Sequence, residues 1–125
     1  MVALNFQPQF AQAVASHQKR QTIRQSFRGK VGCALQLYTG QRTKACRKLV
    51  EPDPVCTMAM YVGLTARGVT LGNASRLPGD IDDFARMDGF EDYATMWRWF
   101  SERYTTSSFT GVLIQWTPQT ALTKL

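Results

Sequence analysis

The sequence predicts an α+β domain: an antiparallel, barrel-like sheet of five to six short strands with two to three flanking helices. Three observations carry that expectation. Short apolar and β-branched runs recur between Gly- and Pro-marked turns. Helical periodicity is confined to the beginning of the chain and to the stretch before the last strand. No GxGxxG or P-loop motif is present, and the order of strands and helices fits an antiparallel, barrel-like domain better than a parallel sheet. At 125 residues and 44% hydrophobic content, the chain can bury about two thirds of the surface its unfolded form exposes, which suffices for one core. Residues 1–125 are therefore read as one domain.

Pro8 suits a first helical turn, and Phe10, Ala13, Val14 and His17 follow at i, i+3, i+4 and i+7, which predicts a helix from Pro8 to His17. Phe6 is expected to pack beside it. Gln21–Arg24 reads as a short strand and Val31–Tyr38 as a second, with turns at Gly29, Gly32 and Thr39-Gly40. The run Glu51-Pro52-Asp53-Pro54 is a loop, because proline cannot donate to a sheet ladder. Val55–Gly63 and Arg67–Leu71 follow as strands. Asp80 is a suitable N-cap for a helix ending at Asp88, with Gly89 at the position that favours a left-handed residue. Tyr93, Met96, Trp97, Phe100 and Tyr104 lie at helical spacing and are read as a core-facing stripe. Gly111–Trp116 is the closing strand, and 117–125 a polar, frayed tail.

Charge is unevenly distributed. Residues 1–50 hold nine of the fifteen Lys and Arg and no acid, whereas the rest holds six cations against nine acids. Such asymmetry suits a protein that meets an anion on one face. The three cysteines, Cys33, Cys46 and Cys56, are too far apart and too few for a disulfide framework. With a single histidine, the chain offers no closed zinc site and no cofactor is expected. Cys46, between Lys44 and Arg47, is expected to be the most reactive thiol. The apolar runs are too short to span a membrane and Met1-Val2-Ala3-Leu4-Asn5 is unlike a signal peptide, so a cytoplasmic monomer is the expectation.

The chemistry concentrates after the first helix. Thr22 and Arg24 alternate onto one face of their strand, and Lys19 lies in the preceding turn. Crowding by Arg20 and Arg24 should push the Lys19 pKa down towards a value useful for proton abstraction. An amine so tuned can activate a threonine hydroxyl, and the rigid donor fork of Arg24 suits a phosphate or a carbonyl oxygen. Asp88 sets a negative charge against the negative end of a helix, which costs about 0.3–1 kcal/mol when exposed and so calls for a cation opposite, Lys19 or Arg24. Asp80, Asp82 and Asp83 are read as capping residues and not as a metal cluster. His17, at a helix end, is placed at the mouth of the site. Arg42, Lys44, Arg47 and Lys48, with Tyr38 nearby, form a basic loop of the kind that tracks a phosphate backbone while a base stacks.

These residues resemble the ASCH domain family of the PUA-like superfamily, especially its small bacterial and phage members. That family carries a Gly-x-Lys-x-x-(Glu or Thr)-x-Arg string after the first helix. Here His17-Gln18-Lys19-Arg20-Gln21-Thr22-Ile23-Arg24 matches it except for His17 in place of glycine. Lys30-Val31-Gly32, Asp88-Gly89-Phe90 and Gly111–Trp116 resemble later parts of the family pattern. The resemblance implies a PUA-like β-barrel with a cleft for RNA or a modified nucleoside, in which Lys19, Thr22 and Asp88 correspond to the lysine, threonine and acid of members that deacetylate N4-acetylcytidine. Arg24, His17, Arg20, Tyr38, Arg42, Lys44 and Phe90 are the expected ligand-binding residues. Binding without catalysis is the leading expectation, amidohydrolysis the alternative; a ribonuclease or a regulator without enzymatic activity remains open.

Overall fold

The computed structural model describes residues 2–72, 75–76 and 80–117. Its elements in chain order are β1 (Val2–Phe6), α1 (Pro8–Ala15), β2 (Gln21–Arg24), β3 (Leu35–Thr39), β4 (Arg47–Lys48), β5 (Val55–Thr65), β6 (Gly68–Leu71), β7 (Ser75–Arg76), α2 (Ile81–Met87), α3 (Tyr93–Tyr104) and β8 (Ser108–Thr117). The α+β class and the helix positions agree with the sequence reading. The sheet arrangement differs from it.

The strands form two open sheets, ordered β1-β3-β4 and β2-β8-β5-β6-β7, and no closed barrel is present among the described residues. Nor is every pairing antiparallel, since β1 runs parallel to β3 in the register Val2↔Leu35 to Phe6↔Thr39. Parallel neighbours need a long crossover, and α1 and β2 occupy it. The sheets meet at one corner through the bridge Ala34↔Val55, where Leu35 N–H donates to the Pro54 carbonyl and Cys56 N–H to the Cys33 carbonyl, both at 2.9 Å. The second predicted strand accordingly begins at Leu35, while Val31 is exposed. β8 lies between β2 and β5, pairing with β5 from Val55↔Thr117 to Thr65↔Ser108. Thr117 therefore belongs to a strand and not to a tail; residues 118–125 lie outside the described set.

The helices are set by local chemistry. α1 starts at Pro8, buries Phe10, Ala11 and Val14, and ends two residues before the predicted limit because His17 leaves the helix with φ of 66°. Asp80 caps α2 by accepting from Asp82 N–H at 2.8 Å. Asp82 in turn accepts from Tyr93 N–H at 2.9 Å, and Asp83 pairs with Arg86 at 2.6 Å, so each acid of that cluster has a structural partner. Asp92 caps α3 by accepting from Thr95 N–H. The Tyr93 hydroxyl donates to the carbonyls of Thr65 and Gly68 at 2.7 and 3.0 Å, tying the start of α3 to the β5–β6 hairpin. Burial pushes this phenol up to about 12.

Val14, Leu35, Leu37, Leu64, Met96, Phe100, Leu113 and Ile114 are fully enclosed and join the helices to both sheets in one core. The aromatic stripe of α3 divides. Tyr93, Met96 and Phe100 are core, whereas Trp97 and Tyr104 are half-buried. Cys33 is half-buried, Cys46 exposed and Cys56 buried, and all three are free thiols. Burial raises the Cys56 pKa. Among the described residues no helix is long and apolar enough to cross a membrane.

Candidate functional site

β2 is the organising strand of a cleft of about 250 Å³ that opens between α1, α3 and the α2–α3 junction. The turn from α1 into β2 is held at both ends. Lys19 N–H donates to the Ala13 carbonyl at 2.9 Å, and the Arg20 carbonyl accepts from Trp116 N–H at 3.1 Å. The Lys19 side chain is thereby sent inward, and the residue is only 2% exposed. Its ammonium lies 3.5 Å from a carboxylate oxygen of Asp88, itself 3% exposed, and donates to the Asp88 main-chain carbonyl. That carbonyl belongs to the orphan set at the end of α2, so the lysine satisfies a helix terminus and neutralises the acid at once. This is the cation that the position of Asp88 requires.

Gly89 makes the approach feasible. Its φ of +95° ends α2, and a Cβ there would stand 3.2 Å from both the Lys19 stem and the Phe10 ring. A second brace comes from Gln21, fully buried, whose amide donates to Asp88 Oδ1 at 3.2 Å and accepts from Gln115 at 3.0 Å. Asp88 is thus held from β2 and, through Gln115, from β8. Gln21 was not among the expected site residues, because only its tertiary contacts distinguish it from any other polar strand residue.

The electrostatics follow from enclosure. Loss of hydration lowers the Lys19 pKa below the ordinary lysine value; the Asp88 charge opposes that shift and Arg24 adds to it. Desolvation is the largest cause, so the crowding inferred from sequence is the lesser one, and Arg20 is exposed. Burial likewise raises Asp88 above the usual carboxylate range, against the pull of Lys19, Gln21 and Arg24. Lys19 also lies 5.1 Å from the Phe10 ring centroid and 5.8 Å from that of Phe6, contacts that offset part of its lost hydration.

Thr22 and Arg24 share the cleft face, as strand parity predicts. Arg24 is held by three contacts. Its Nε donates to Thr22 Oγ1 at 3.1 Å, one terminal nitrogen donates to the Asn5 carbonyl at 2.8 Å, and the guanidinium stands 4.9 Å from the Phe6 ring centroid. The Thr22 hydroxyl accepts a bond from a cation while donating to no partner among the described residues. Such a hydrogen bond favours the ionised oxygen.

The remaining walls are aromatic and basic: Phe10, Phe90, Trp99, Phe100 and Tyr104, with Arg103 at the mouth. Phe90 stands edge-on to Phe10 at 5.3 Å. Of the expected residues, Lys19, Thr22, Arg24, Asp88 and Phe90 line the cleft. His17 and Arg20 sit behind it in the α1–β2 turn, where Arg20 Nε donates to the His17 carbonyl at 3.0 Å. Tyr38, on β3 opposite Lys48, and the exposed Arg42 and Lys44 lie apart from it. The start of that loop is tied to the site where Gln41 N–H donates to the side chain of Asn5, a cleft residue, at 2.9 Å. Besides Gln21, sequence reasoning missed Trp99 and Arg103, which flank the stripe residues Phe100 and Tyr104 on α3 and line the cleft with them; the stripe was read as core only.

Fold and cleft together define an α+β domain with a buried Lys–Asp pair at the base of an aromatic, cation-rimmed pocket. No family model matches the chain, and neither a curated protein nor a solved structure is found similar to it.

Proposed function

We propose that this protein binds RNA or a modified nucleoside in the cleft, as an ASCH-like domain of the PUA-like superfamily. The observation that carries the reading is convergence: Lys19, Thr22 and Arg24 of one short motif meet the sequence-distant Asp88 in one pocket walled by aromatic rings. The pocket's size, about 250 Å³, is near the lower end of the ~300–1,000 Å³ typical of small-molecule sites. It suits one nucleoside unit, with a base against Trp99 or Phe90. On this reading the two sheets, joined at the Ala34–Val55 corner, are a PUA-like barrel left open.

The departure at His17 supports the same assignment. The resembling motif has glycine there, and His17 adopts φ of 66°, a conformation glycine takes without strain. His17→Gly is expected to stabilise the protein by about 0.5–1 kcal/mol, the relief of left-handed strain exceeding the added chain entropy. A chemical denaturation curve checks this, and a lower midpoint contradicts it.

A second reading, amidohydrolysis of N4-acetylcytidine, is favoured by the Thr22 hydroxyl, whose oxygen accepts from a guanidinium. Lys19, once it has passed a proton to Asp88, takes the Thr22 proton, Oγ1 attacks the acetyl carbon, and Arg24 faces the developing oxyanion. Collapse breaks the C–N bond, the amine of cytidine leaves with a proton returned through Lys19 and Asp88, and water releases acetate from the threonine ester. Both readings are tested by following N4-acetylcytidine binding and cytidine release with wild type and the near-isosteric Thr22→Val. Turnover should fall at least ~10³-fold in the variant while binding persists. Undiminished turnover removes the threonine mechanism, and absence of nucleoside and RNA binding removes the primary reading.

A further inference from the structure

The cleft carries more positive charge than its own residues neutralise. Lys19 is matched by Asp88, but neither Arg24 nor Arg103 forms an ion pair with any carboxylate among the described residues. Both guanidinium groups rest on rings instead: Arg24 on Phe6, and Arg103 at 5.2 Å from the Trp99 centroid and 5.8 Å from that of Tyr104. Both line the same pocket. Like charges so arranged disfavour each other unless an anion lies between them, and the Arg103 charge does lower the Arg24 pKa, as a lesser cause beside burial. Arg24 uses its Nε and one terminal N–H on Thr22 and Asn5 but keeps its other terminal donors, the Arg103 fork donates to no partner among the described residues, and these remaining donors suit phosphate oxygens.

Depth assigns the two ends. Lys19 and Asp88 form the enclosed floor, with Gln21 bracing Asp88, Arg24 is half-buried, and Arg103 is exposed at the rim on the last turn of α3. A polar uncharged base can enter the floor, whereas a phosphomonoester keeps part of its hydration at the rim. We infer that the ligand of this cleft is a nucleotide and not a neutral nucleoside, its phosphate held between Arg24 and Arg103. This deepens the nucleoside reading and rests on it.

Calorimetric titration of the intact protein with cytidine, cytidine 5′-monophosphate and inorganic phosphate at low and high salt separates the two claims. The monophosphate should bind at least ~10-fold more tightly than cytidine, with the margin shrinking as salt screens the rim. In Arg103→Gln, a change at an exposed position that leaves the core untouched, the ratio of the two affinities should fall towards one. Arg103→Lys should restore part of it. Equal affinity for cytidine and its monophosphate in the wild type overturns the phosphate assignment and leaves the nucleoside reading standing. Inorganic phosphate binding as tightly as the nucleotide, with no cytidine bound, supports the arginine pair as an anion site and overturns the nucleoside reading. Binding of none of the three overturns both.

Discussion

Replacing Lys19 with methionine is expected to destabilise the protein by about 3–5 kcal/mol at neutral pH, because it leaves Asp88 charged, enclosed and without its cation. Asp88→Asn leaves the mirror-image fault, a buried ammonium without an anion. The two variants separate by the sign of their pH dependence. In Lys19→Met, the Asp88 pKa, already raised by burial, rises further. The folded state then binds the proton more tightly than the unfolded one, so stability is retained near pH 4 and lost as pH rises through the folded pKa. In Asp88→Asn, the Lys19 pKa, already lowered, falls further. The unfolded state then holds more protons, and stability rises with pH until the unfolded lysine pKa of about 10.4 is passed. Denaturant unfolding between pH 5 and 9 reads both slopes. The double variant, neutral at both positions, should recover much of the loss and show neither slope from this pair. A cost under about 1 kcal/mol in both single variants, or slopes of one sign, contradicts a desolvated pair.

Phe100→Ala should rank next, at about 3–5 kcal/mol and on the order of 10–15 °C in unfolding midpoint. The ring is 2% exposed and packs against Trp99 at 4.9 Å, Phe109 at 5.0 Å, Tyr104 at 6.1 Å and Phe90 at 6.4 Å. It therefore supports the cleft wall as well as the seam between α3 and β8. Phe100→Leu, which keeps much of the volume, should cost well under half as much. Calorimetry of the two variants checks the order; equal losses contradict the packing explanation.

Features set by short-range chemistry were legible in the sequence. Pro8 at the start of α1, Asp80 at the start of α2 and Gly89 after Asp88 are backbone requirements met within a few residues. The placement of Thr22 and Arg24 on one strand face follows from the two-residue period, and the need of Asp88 for a cation follows from the helix dipole. β1 was not legible, because Val2–Phe6 has no hairpin partner and pairs in parallel with a strand some thirty residues away. The α3 stripe was legible only as a periodicity. Which face meets the core, and that Trp99 and Arg103 face the cleft, depends on how the helix seats on β8 and on the start of β6.

The residues following α1 thus determined a motif, a cation in need of enclosure and an acid in need of a cation. Whether those needs met was decided by the tertiary structure. The turn bonded to Ala13 and Trp116 sends Lys19 inward, the left-handed Gly89 leaves room for its stem, and the Gln115–Gln21 chain holds Asp88 in place. Burial supplies the force, since neither pKa is perturbed chiefly by a sequence neighbour. Dehydration is the largest cause at both residues, and only the assembled fold removes the water.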